Sequence, residues 1–158
     1  MKLFEALALR KALQGQLAQL ISIRNSTYEH LMDEEPEFNF KSLTAQIKEK
    51  VNTVTVLKLA IMKANMETEL SNGLTLYANI IELANIRSAI DQLGDLVQVG
   101  RRGYLIDRRR TTQEVKVVKQ MAPEELLKMV DNYDSKRRLL DAMIQEANHT
   151  VEISWPVK

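Results

Sequence analysis

The sequence predicts a mainly α fold: long antiparallel helices, either a four-helix bundle or an extended helical hairpin, with a small β-hairpin inserted before the last helix. Three observations predict it. Apolar residues recur at steps of three and four over long stretches. Glycine, proline and aromatic residues are scarce, at 5 Gly, 3 Pro and 5% aromatic in 158 residues. One segment, Tyr104 to Gln120, changes from the helical period to β-branched alternation around a polar turn.

The first helix runs from Lys2 to about His30, because Leu3, Ala6, Leu9, Leu13, Leu17, Leu20 and Ile21 form one stripe. The acidic stretch Asp33 to Asn39 contains Pro36, which disfavours helical geometry in the residue before it, and ends on Asn39, a good helix cap. A second helix follows from Asn39 to about Thr68 with the stripe Leu43, Ile47, Val51, Val54, Leu57 and Ile61. Ser71-Asn72-Gly73 is a turn. Thr75 caps a third helix, expected to face inward through Tyr77, Ile80, Ile81, Ala84, Ile90, Leu93 and Val97, and to stop by Gly100.

The hairpin is expected at about 104–120, with Val115, Val117 and Val118 in its second arm and Arg108-Arg109-Arg110-Thr111-Thr112 near its turn. Pro123 suits the first turn of a fourth helix, and Glu124 and Glu125 complement its positive end. That helix runs to about Ala147 through Leu126, Val130, Tyr133, Leu140 and Ile144. The tail, Thr150 to Trp155, alternates like a short strand. Together these make one helical domain over 1–158. Its apolar stripes are closed inside one chain in a bundle, or partly left for a neighbouring subunit in an extended hairpin; composition leaves both packings open.

Composition excludes several kinds of chemistry. The chain has no Cys, which removes disulfides, thiolate metal sites and cysteine nucleophiles. Lys2 precedes an apolar run, but Glu5 and Arg10 break it, and no stretch approaches the roughly 18 apolar residues of a spanning helix. A cytoplasmic protein without a membrane partner is expected, so the sequons at Asn25 and Asn148 meet no glycosylation machinery. Only His30 and His149 could serve as bases near neutrality. Glu146-x-x-His149 has the spacing of a bundle di-iron ligand pair, but occurs once and lacks its counterparts. No metal, cofactor or enzymatic activity is expected.

Charge is the strongest functional signal. Residues 100–120 hold seven Lys and Arg against two Asp and Glu, a local net charge of +5 in a chain whose formal charge is +1. The segment includes Arg101, Arg102, Arg108, Arg109, Arg110, Lys116 and Tyr104. A solvated hairpin whose arginines pair with Asp91, Asp95 or Glu125 is one explanation. The other is an anion site, in which planar guanidinium groups donate paired hydrogen bonds to phosphate or carboxylate and Tyr104 offers a stacking ring. Duplex nucleic acid wants an extended basic face, whereas the rest of this chain is net acidic, so a compact nucleotide-like ligand fits better.

The stretches MKLFEALALRKALQ, NMETEL and IQEANHT resemble the opening, middle and close of a family of small bacterial and phage proteins annotated "septicolysin". The resemblance implies an all-helical homo-oligomer with a small β element and no established activity. It also implies matched polar positions at Arg10, Asn65, Thr68, Asn148 and Thr150, either caps of helix ends or parts of a polar pocket. Where the family places an Arg-Tyr-Ser-Arg run, Arg109 is the aligned position. The function expected is thus a non-enzymatic oligomer that holds a small anionic, nucleotide-like ligand, such as a phage sponge for a cyclic nucleotide immune signal. The alternative is a structural or scaffolding homo-oligomer with no ligand.

Overall fold

The computed structural model describes residues 1–29, 37–106 and 120–155, with side chains described for all of these except 97–106. Four helices follow one another among the described residues: α1 (Leu3–Ser26), α2 (Phe40–Glu67), α3 (Leu76–Ile106) and α4 (Pro123–Thr150). The chain divides into two compact units, Met1–Tyr77 with Glu146–Lys158, and Ala78–Gln145.

In the first unit, α1 opens with the Lys2 backbone N–H donating to the Glu5 carboxylate at 2.8 Å. It ends where Ser26 Oγ donates to the Ile23 carbonyl at 2.7 Å and Thr27 Oγ1 to that of Arg24 at 2.9 Å, short polar side chains that compete with helix continuation. α2 starts as expected on Asn39, whose side chain accepts from the Ser42 N–H at 3.0 Å. Lys50 Nζ donates to Gln16 Oε1 at 2.7 Å, and at the far end of this antiparallel pair Arg24 lies 5.7 Å from the centre of the Phe40 ring, which Tyr28 also meets.

The turn after α2 needs its glycine. Gly73 has φ +76 and donates its N–H to the Leu70 carbonyl, while Leu76 N–H returns to Thr68 at 2.8 Å. The tail pairs with the other end of the chain. Leu3 N–H donates to Val151 at 2.9 Å, Ile153 N–H to Met1 at 2.8 Å, and Lys2 and Glu152 form an antiparallel bridge. Leu3, Ala6, Leu57, Ile61, Leu76, Ala147 and Ile153 are buried in this unit.

In the second unit α3 and α4 are joined by charge. Arg87 Nη2 meets Asp141 at 2.9 Å, and Asp141 also receives Arg137, which with Arg138 clasps Asp134. The Arg137 hydrogen bond is the main reason that the Asp134 carboxyl is held below the ordinary aspartate range; desolvation opposes it, and the Arg138 hydrogen bond adds to it. α4 begins at Pro123, and the N–H groups of Glu125 and Leu126 both donate to the Ala122 carbonyl.

Three expectations need correction. The hairpin is not found where it can be checked: residues 104–106 continue α3, and 107–119 lie outside the described residues. Gly100 does not stop that helix, since a glycine costs only about 1 kcal/mol relative to alanine and flanking turns can offset it. The inward face of α3 is also different. Leu76, Asn79, Leu83 and Ile86 are buried, while Tyr77, Ile80, Ile81 and Ala84 are exposed, and on α2 Val51 is exposed instead of buried.

Candidate functional site

The positions taken from the family resemblance lie together in the first unit. Arg10, on α1, is half-buried, and its Nε is enclosed with no hydrogen-bond partner among the described residues. A guanidinium N–H removed from water and left unpaired is costly, because the donor loses its hydration without recovering a bond. Asn65 is half-buried in the last turn of α2, and Thr68 follows that helix directly, its carbonyl spent on Leu76. Thr150 turns its hydroxyl back to the Glu146 carbonyl at 2.9 Å, while its own carbonyl accepts from Lys2 Nζ at 3.2 Å. For Thr68 and Thr150 these bonds are those of helix ends. Asn148, two residues before Thr150, is half-buried.

Arg101, Arg102 and Tyr104 belong to α3, in the second unit. Arg108, Arg109, Arg110 and Lys116 lie outside the described residues. Asp91 and Asp95, proposed partners for these arginines, form no ion pair among the described residues.

The sequence reading missed a groove between α1 and α2, about 510 Å³, with Leu13, Leu20 and Ile23 along one side and Gln46, Glu49 and Lys50 along the other. Leu13 and Leu20 are half-buried stripe positions, and their spacing alone does not reveal that the α1–α2 pair leaves them partly open. Gln16 and Lys50 meet across this groove. Amides, one carboxylate and one ammonium can bind by hydrogen bonding, but they supply no activated nucleophile. His149 is exposed and lies against Phe4 with ring centres 4.7 Å apart. Among the described residues no three His, Asp or Glu side chains are grouped to hold a metal, and no helix is long and apolar enough to cross a membrane.

Long helices and a chain-end pairing define a mainly α-helical protein. It belongs to the DUF6847 family, a family of unknown function, whose profile matches residues 10–153. Among solved structures it is similar to a functionally unknown conserved protein from Corynebacterium diphtheriae, with a TM-score of 0.81 and 26% identity over 98% of this chain and 99% of that one. No curated protein matches.

Proposed function

We propose that this is a non-enzymatic protein that works as a homo-oligomer. The observation that carries the reading is the display of large apolar side chains at helical repeats on α2 and α3, among them Leu59, Met62, Met66, Tyr77 and Ile81, each between 45% and 57% exposed. Scattered apolar residues on a surface are ordinary, but aligned ones favour a partner. The family resemblance, with its implied oligomer, supports the same reading. Light scattering on the purified chain is expected to give a mass several times 18.1 kDa; a single-chain mass at micromolar concentration overturns it.

Arg10 supports a second reading, in which the oligomer holds a small anionic, nucleotide-like ligand and so sequesters a signal such as a cyclic nucleotide. Its enclosed, unpaired Nε is a donor that an anion would satisfy. Calorimetry with cyclic dinucleotides, cyclic mononucleotides and ADP-ribose-like compounds tests it. Binding should weaken by about 1.5–3 kcal/mol in Arg10→Ala, the range for hydrogen bonds to charged groups. Arg10→Lys should weaken it too, because charge is kept and the two-pronged geometry lost. If none of these compounds binds, the scaffold alternative replaces this reading.

A further inference from the structure

Two exposed helix faces of this chain are complementary to each other in both polarity and charge. On α2, Val51, Thr55, Leu59, Met62 and Met66 recur at steps of four, four, three and four, and all are exposed. Lys41 and Lys48 continue the same face toward the helix start, with Lys58 at its margin, and no acidic residue lies on it. None of these three lysines forms an ion pair among the described residues.

On α3 the exposed face begins apolar, with Tyr77, Ile80, Ile81 and Ala84, and continues through Ser88 to Asp91 and Asp95. Between Tyr77 and Asp95 its charges are acidic, and both aspartates are exposed and unpaired among the described residues. Arg87, at the edge, is already committed to Asp141.

The spacing of apolar and charged parts is the same on both helices. From Met62 back to Lys48, and from Tyr77 forward to Asp91, is about 21 Å at 1.5 Å per residue. Antiparallel alignment therefore sets Met62 against Tyr77, Leu59 against Ile80, Thr55 against Ala84 and Lys48 against Asp91 in one continuous register. Small Thr55 and Ala84 at the middle allow close approach of the axes.

We infer that the α2 face of one copy of this chain packs antiparallel on the α3 face of a second copy, with Lys48 opposite Asp91. This rests on the self-association proposed above and names the surfaces that make it. Charge complementarity selects the second copy as occupant: the α2 face alone would suit any acidic apolar helix, but the chain supplies one in matching register. Such a contact joins unlike faces, so it closes when two copies exchange it mutually and extends into a ring or filament when they do not.

The test is a charge exchange on the full chain, read by analytical ultracentrifugation, with far-UV circular dichroism confirming that each variant keeps its helices. Lys48→Glu and Asp91→Lys should each raise the dissociation constant at least about tenfold, since each sets like charges in contact. The double variant K48E/D91K should restore it to within about threefold of the parent, because the pair is reformed with its signs reversed. An oligomer unchanged by either single variant, or one that the double variant does not rescue, overturns the assigned faces and leaves self-association standing. A parent that sediments as a single chain overturns self-association and this interface together. If that single chain binds phosphatidylserine vesicles through the α2 lysines, the occupant of the face is an anionic lipid surface instead.

Discussion

The backbone N–H of Leu3 donates to the carbonyl of Val151 at 2.9 Å, so the first turn of α1 is tied to the segment that follows α4. Leu3 is itself fully buried. Leu3→Ala should therefore cost about 2–5 kcal/mol in urea unfolding, the range for truncating a packed leucine. Lys2→Ala, which removes the partly exposed Lys2–Glu152 pair at 3.1 Å and the exposed Lys2 Nζ donation to the Thr150 carbonyl, should cost no more than about 1 kcal/mol. Equal effects would mean that the chain-end pairing depends on the charge and not on the packed side chain.

Two glycines should respond to alanine with opposite signs. Gly73 sits at φ +76, where a side chain meets its own backbone, so Gly73→Ala should lose about 1–2 kcal/mol. Gly15 is in the middle of α1, and an added methyl there meets nothing within 4 Å. Gly15→Ala should gain about 0.5–1 kcal/mol, the helix-propensity difference. Thermal unfolding at fixed protein concentration checks both.

Asp134, bound by Arg137 and then Arg138, should titrate below the ordinary aspartate range in carboxyl-carbon NMR. Its folded-state value lies below the unfolded one, so its contribution to stability is present above about pH 3.9 and is lost as the pH falls through the depressed value. Arg137→Gln should move the titration back upward. An unmoved midpoint would remove Arg137 as the cause.

The enclosed Nε of Arg10 has an energetic consequence even without ligand. Arg10→Met keeps an unbranched stem and deletes the unpaired donor, so the ligand-free protein should gain stability, by about 1–3 kcal/mol if the full desolvation cost is recovered. Calorimetric unfolding of ligand-free protein decides it. A loss would mean that Arg10 finds a partner in solution, and the argument for an anion there would fall.

Local chemistry was enough to determine where most helices begin and turn. Asn39 caps α2, Gly73 makes the turn, Pro123 opens α4 and the stripe of Leu140 and Ile144 faces inward, because each follows from a side chain acting on its own backbone or from one unambiguous apolar stripe. Only tertiary structure decided which side of α2 and α3 is covered. Both helices are apolar on more than one face, and periodicity reports that a face is apolar without reporting whether anything packs on it; burial of Leu83 and Ile86 and exposure of Ile80 and Ile81 come from neighbours distant in sequence. For the same reason Arg10 could be singled out from the sequence, but not the burial of its Nε, which depends on what the folded chain sets around it.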